Sequence, residues 1–239
     1  MNGNYWSWER FSEAFPYVLE GLTTTVAVTI STFIFAMIFG FVWLFLRRIP
    51  LRPVNWTVTW IMEFIRSTPP IIQLFFMYLA WPVVPYVGVT LSPFACAVIG
   101  LGVHFSTYIG EIYRSGIESV GKGQWEASTA LNLSLLDKWR HIILPQAIPP
   151  TIPMLGNYFI ILFKEVPITA TISVQGILYM ANTFGSQNWA YIEALTIVGL
   201  ILLVLSYPSA VLIRKLEVKM NTRFDKNAVI KKINKGVTS

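Results

Sequence analysis

Several long stretches of this chain carry no Asp, Glu, Lys or Arg, among them Gly21 to Leu46, 26 residues, Ser67 to Gly110, 44 residues, and Val166 to Ile192. About 20 apolar residues in a helix cross the hydrocarbon core of a bilayer. No water is available there to satisfy an open backbone, so a spanning segment has to be a helix or part of a closed barrel. Uncharged runs of this length predict membrane-spanning helices. The whole chain agrees, with 54% hydrophobic and only 13% charged residues, against about a quarter charged in an ordinary soluble domain.

The breaks between runs set the number of spans. Gly21 to Leu46 is the first, ended by Arg47, Arg48, Pro50, Arg52 and Pro53. The 44-residue run is long enough for two, divided by the Pro- and Gly-containing segment Trp81 to Gly88. A second helix is therefore expected from near Asn55 to Trp81, and a third from about Pro93 to Arg114. Ile142 to Phe163 begins a fourth, with Pro145, Pro149, Pro150 and Pro153 making its start irregular and Pro167 kinking it beyond Lys164 and Glu165. Asn182, Gly185, Gln187 and Asn188 read as an outer loop, and Ala194 to Ile213 as the fifth span.

Lys and Arg are enriched in cytoplasmic loops. Of 18 such residues, Arg10 falls in an outer segment and Lys164 within the membrane. All the others fit the cytoplasmic side of a topology with the N-terminus outside and the C-terminus inside. The net charge of +6 thus reads as basic loops, not as a nucleic-acid surface. Residues 1–16 lack the basic and apolar regions of a signal peptide. Trp6, Trp8, Phe11 and Phe15 suit a segment lying at the interface or packed on the bundle. Residues 17–217 form the transmembrane domain, and 218–239 a basic cytoplasmic tail.

One polar insert, Gln124 to Pro145, interrupts the apolar chain. Gln124 to Leu131 reads as a short helix. Asn132 sits where it stops, because Asn tolerates left-handed backbone. Ser134, three residues before Asp137, reads as a capping box opening a new helix.

Glu126-Ala127-Ser128, then Asn132, then Ile142-x-Leu144-Pro145 resembles the EAA loop of ABC-importer permeases: E-A-A, three residues, G, nine residues, I-x-L-P. Ser128 stands in place of the second Ala and Asn132 in place of Gly; both preserve the geometry. Glu63 to Pro69 (EFIRSTP), Glu111 to Gly116 (EIYRSG) and Leu155-Gly156-Asn157 with Lys164-Glu165 extend the resemblance to the polar amino acid uptake family. Ala130 to Ser134, Ile148-Pro149-Pro150 and Phe163-Lys164-Glu165-x-Pro167 look most like ectoine and hydroxyectoine permeases. The resemblance implies an all-α, type I ABC-importer permease fold in the cytoplasmic (inner) membrane. Its coupling loop, residues 118–146, would dock in a groove of a separate ATPase subunit. A second permease chain, identical or paralogous, and an external solute-binding protein complete such an assembly, which works by alternating access. ATP is then used by the partner, and no cofactor is bound by this chain.

On that reading Glu126 offers a charge to the ATPase. Trp125, Ala127, Leu131 and Leu133 offer apolar contact, Ala127 and Ser128 permit close approach, and Asn132 holds the turn.

Charges inside a membrane are costly and mark pathways or paired sites. The candidates are Glu63, Arg66, Lys164 and Glu165, with Gln73 and Asn157 as neutral partners. Either they meet the two charges of a zwitterionic cargo, or they pair with one another and hold helices in register. Glu63 and Arg66, three apart, share a helix face. Glu111 and Arg114 read as structural, and Glu193 as lying near the outer interface. His104 and Ser106 read as packed polar groups, not an intramembrane hydrolase. No Walker A, C-x-x-C or H-E-x-x-H pattern occurs. The competing reading is a self-sufficient channel or ion-driven transporter, for which the EAA-like spacing is coincidence and uptake needs no ATPase.

Overall fold

The structure, a computed structural model, describes residues 6–236, with side chains through Met220. Expectations for residues 1–5 and for the side chains of the basic tail beyond 220 lie outside the described residues. Among the described residues every regular element is helical.

Helix α1 (Trp8–Leu46) is followed by α2 (Arg52–Ser67) and α3 (Pro70–Phe75). A π-helical turn (Phe76–Ala80) and a 3-10 turn (Trp81–Val83) extend α3. Then come α4 (Pro93–Glu118), α5 (Lys122–Ala130) and α6 (Leu135–Asp137). Helix α6 runs through a π-helical stretch (Lys138–Ile143) into α7 (Leu144–Glu165). A 3-10 turn (Val166–Ile172) leads to α8 (Ile177–Asn188), and α9 (Tyr191–Gly236) closes the chain. Four segments are long and apolar enough to cross a membrane: Trp8–Leu46, Pro93–Glu118, Leu135–Ile172 and Tyr191–Met220; Pro70–Val83 is a shorter apolar helix. With it, the described residues come close to the expected five crossings.

Several expectations need adjustment. The second helix is not continuous from Asn55 to Trp81. It breaks at Thr68, whose backbone is extended, φ −97° and ψ 131°, because a residue before proline is pushed out of the α region. Residues 182–188 are not a loop but the end of α8, closed by Trp189 at φ 53°. Residues 8–16, for which the sequence leaves an interfacial segment and a packed helix both open, form the first turns of α1, through Pro16. The prolines at 149, 150 and 153 lie inside α7; the irregular stretch is the π-helical one before it.

The chain forms two compact units. One holds the chain through Glu111 together with Phe159–Tyr207; the other holds Ile112–Tyr158 and the chain from Pro208 onward. In the first, Ala14 and Val18 of α1 pack with Ile177, Ala181 and Phe184 of α8 and with Ala194 and Ile197 of α9. Helices α1 and α8 meet at Gly21, where a Cβ would stand 2.5 Å from the Gly176 carbonyl carbon. Thr25 Oγ1 accepts the Ile177 N–H there at 3.0 Å, satisfying an orphan donor of the α8 N-terminus. Buried Glu193 accepts the Ser7 N–H at 2.8 Å, tying the start of α1 to α9. In the second unit, a Cβ on Gly116 of α4 would meet the Thr151 side chain and the Ala147 carbonyl of α7, and one on Gly156 would meet Ile213 of α9.

Candidate functional site

The insert has the local structure its residues predict. Leu131 ends α5, and Asn132 takes φ 51°. The Leu133 N–H reaches the Ser128 carbonyl at 3.2 Å and the Asn132 N–H the Thr129 carbonyl at 2.9 Å. These are the 6→1 and 5→2 bonds of a Schellman motif, which satisfies the last carbonyls of the helix. Ser134 Oγ then accepts the Asp137 N–H at 3.1 Å and donates to Asp137 Oδ2 at 2.6 Å. Trp125 and Trp139 meet edge-to-face, centroids 5.5 Å apart, and Lys138 Nζ donates to Thr129 Oγ1 at 3.0 Å. The two arms are clamped together, so the insert behaves as one body.

Glu126, Ala127, Leu131 and Asn132 are exposed. Trp125 and Leu133 are half-buried, Trp125 serving the clamp to Trp139. Ser128 is buried and donates to the Trp125 carbonyl at 2.8 Å, so it faces its own fold. Leu135 and Leu136, exposed at 75% and 73% beside Leu131 at 72%, were not singled out from the sequence. The signal available was two leucines directly after a capping serine.

The charged candidates separate into two sets. Arg66 is engaged on every side. It donates from Nε to Thr107 Oγ1 at 3.2 Å and from Nη2 to the Thr107 carbonyl. It lies 3.3 Å from Glu63 and 3.9 Å from Glu111, with its guanidinium 5.1 Å above the Tyr108 ring. Glu111 also pairs with Arg47. One carboxylate of α4 therefore bridges the end of α1 and the end of α2. Gln73 donates from Nε2 to the Ile65 carbonyl at 2.7 Å and lies 3.2 Å from His104 Nδ1. The physical reason is Pro69, which has no N–H to meet the carbonyl four residues earlier; Gln73 supplies the missing donor. Buried His104 is held by this contact, as expected of a packed histidine.

Lys164 and Glu165 are exposed at the end of α7, beside the 3-10 turn that carries Pro167. They make no side-chain hydrogen bond or ion pair among the described residues. Asn157 is exposed on α7 within the other unit. The sequence candidates are thus not one cluster: Glu63, Arg66 and Gln73 hold the α2–α3 break, while Lys164 and Glu165 stand free. No group of three metal-ligating side chains occurs among the described residues.

A family model described as the binding-protein-dependent transport system inner membrane component matches residues 36–222. The chain belongs to that family. This inner membrane component is 38% identical over 208 residues to a probable amino-acid ABC transporter permease, y4tG, of Sinorhizobium fredii (strain NBRC 101917 / NGR234), covering 87% of this chain and 89% of the relative. It is 34% identical over 216 residues to the L-cystine transport system permease TcyB of Bacillus subtilis (strain 168), covering 88% and 91%. Among solved structures it superposes on an amino acid ABC transporter crystallised with histidines, at TM-score 0.81 and 27% identity, over 90% of this chain and 99% of that one. An inward-facing methionine transporter, MetNI, shares the fold at TM-score 0.66 and 21% identity, over 85% and 95%. The fold of this inner membrane component is that of type I ABC-importer permeases, as expected.

Proposed function

We propose that this chain is the permease subunit of an ABC importer for a polar amino acid or an amino-acid-like compatible solute, and we put ectoine and hydroxyectoine first among cargoes. The observation that carries the reading is the clamped insert. Its turn is held by two backbone bonds and a capping serine, and it presents Glu126, Leu131, Leu135 and Leu136 outward. A rigid two-armed element transmits a push, which a loose loop does not. Relatives named as amino-acid permeases support the cargo class. The sequence resemblance of Ala130 to Ser134 and Phe163 to Pro167 supports the narrower choice.

In this reading ATP is bound and hydrolysed by a separate ATPase pair. Closure of that pair moves the insert, and the path switches its access. A second permease, a copy or a paralogue, completes the path, and a solute-binding protein delivers cargo from outside. The N-terminus lies outside and the C-terminus in the cytoplasm. Because Arg66 and Gln73 are engaged within the fold, Lys164 and Glu165 are the charges left to meet the carboxylate and the cationic end of a zwitterion.

The test is co-purification of an ATPase from mildly solubilised native membrane, with the intact chain and Glu126→Lys in parallel. The intact chain is expected to bring the ATPase down and the variant to lose it. An ATPase absent from both, under conditions that keep known complexes together, overturns the importer reading. Uptake of labelled ectoine, challenged by unlabelled hydroxyectoine, arginine and cystine, then tests cargo. Competition by arginine or cystine alone overturns the ectoine choice and leaves the importer standing.

A further inference from the structure

Helix α2 carries an exposed aromatic row in which, among the described residues, Trp56 and Trp60 meet only each other's rings, with centroids 6.5 Å apart. Trp56, Trp60 and Phe64, four residues apart, are exposed at 68%, 64% and 64%. Val58 and Met62, on the opposite face, are buried. Asn55, Thr59, Glu63 and Arg66 fall on a narrow polar edge between them, as the 3.6-residue period requires.

The depth of α2 follows from what it touches at its two ends. Helices α1 and α4 run side by side in the same direction. A Cβ on Gly102 would meet Phe35 and one on Gly110 would meet Trp43, and Trp43 Nε1 donates to Ser106 Oγ at 2.8 Å. Arg47, pairing with Glu111, marks the level at which α1 ends. Asn55 Nδ2 donates to the Arg47 carbonyl at 2.7 Å, so the start of α2 lies at that level. Arg66, near its end, holds Thr107 and lies 3.9 Å from Glu111, so its guanidinium lies within about one helical turn of the same level. An upright helix separates residues 55 and 66 by about 16 Å in depth. The contacts hold the two ends of α2 closer in depth than that, so α2 is inclined well away from upright. Only after Pro69 does the chain turn and follow α4, with Gln73 at His104 and Leu74 against Gly100.

We propose that α2 lies in the plane of the membrane as an interfacial helix, its Trp56–Trp60–Phe64 row seated among the phospholipids of the leaflet on the Arg47 side. Trp is favoured at that depth because its ring is apolar and its N–H polar. Arg52 and Arg48, exposed where α2 begins, complement anionic headgroups. Beyond Phe64 the surface continues into a cleft of about 360 Å³ lined mostly by apolar side chains, among them Phe64, Ile72, Phe76 and Met77, together with Thr68 and Gln73, and its largely apolar walls suit an acyl chain.

Single cysteines at Trp56→Cys, Trp60→Cys and Phe64→Cys, in a Cys96→Ala background, are spin-labelled in the complex reconstituted into vesicles of phosphatidylcholine and phosphatidylglycerol. Collision with oxygen, concentrated in lipid, is compared with collision with a water-soluble nickel chelate. All three labels are expected at one shallow depth, oxygen-accessible. A depth that changes by about 12 Å from 56 to 64 means an upright helix and overturns the proposal. Shielding from both agents means that a second copy of the chain covers the face, and also overturns it. Access for nickel alone places the face in water, with the same consequence. Quenching of intrinsic fluorescence by brominated lipid, compared between the natural chain and Trp56→Phe/Trp60→Phe, repeats the test without cysteines. Shallow bromines are expected to quench the natural chain more than the double variant; equal quenching contradicts the proposal. None of these measurements needs cargo or nucleotide, so they stand apart from the transport reading.

Discussion

Replacing Glu111 by Gln removes the one negative charge that Arg47 and Arg66 share. The Arg47, Arg66 and Glu111 side chains are 26%, 17% and 23% exposed. Fully exposed ion pairs contribute about 0–1 kcal/mol, whereas breaking a buried pair by removing one partner costs about 3–5 kcal/mol. At roughly one-quarter exposure, and with two cations left facing each other, the expected loss is about 2–3 kcal/mol. For a chain of this size each kcal/mol moves the melting midpoint by about 2–4 °C, so Glu111→Gln should melt about 4–12 °C lower in a mild detergent. The control is Glu63→Gln. Its carboxylate is 62% exposed and lies 3.3 Å from Arg66, so its loss should cost under about 0.5 kcal/mol. The assay is thermal unfolding followed by circular dichroism, on single variants and on Glu111→Gln combined with Arg66→Gln. The double variant should lose less than the sum of the singles, because residues in one ion-pair network couple. An unchanged midpoint for Glu111→Gln, or a larger fall for Glu63→Gln, refutes the bridging role.

Two further substitutions test local geometry. Asn132→Gly should leave the insert intact, since φ 51° suits glycine. Asn132→Val should cost roughly 1–2 kcal/mol and raise the rate of proteolytic cleavage between α5 and α6 about tenfold; equal cleavage of the two variants contradicts the Schellman assignment. Gly21→Ala places a Cβ against the Gly176 backbone, which cannot yield like a flexible side chain, and should destabilise by about 1–3 kcal/mol. Gly199→Ala, with nothing within 4 Å of its Cβ, should be neutral or stabilising by up to about 1 kcal/mol; a shared sign of effect in thermal unfolding argues against the close approach of α1 and α8.

The features legible in the sequence are those encoded within a few residues. Uncharged runs mark the apolar helices because crossing a bilayer is a local demand on composition. Asn132 and the Ser134–Asp137 cap are readable because the bonds they make span three to five positions. Glu63 and Arg66 pair as their spacing implies. What the sequence alone could not settle is what distant segments decide together. Glu111 lies 64 positions from Arg47, and Thr107 lies 41 from Arg66; no periodicity connects them. The burial of Ser128 and the exposure of Leu135 and Leu136 depend on how α5 folds back on the stretch carrying Trp139. The use of Gln73 depends on a carbonyl orphaned by Pro69. The course of α2 depends on contacts near both of its ends, with α1 and α4, a constraint that exists only once three helices are packed.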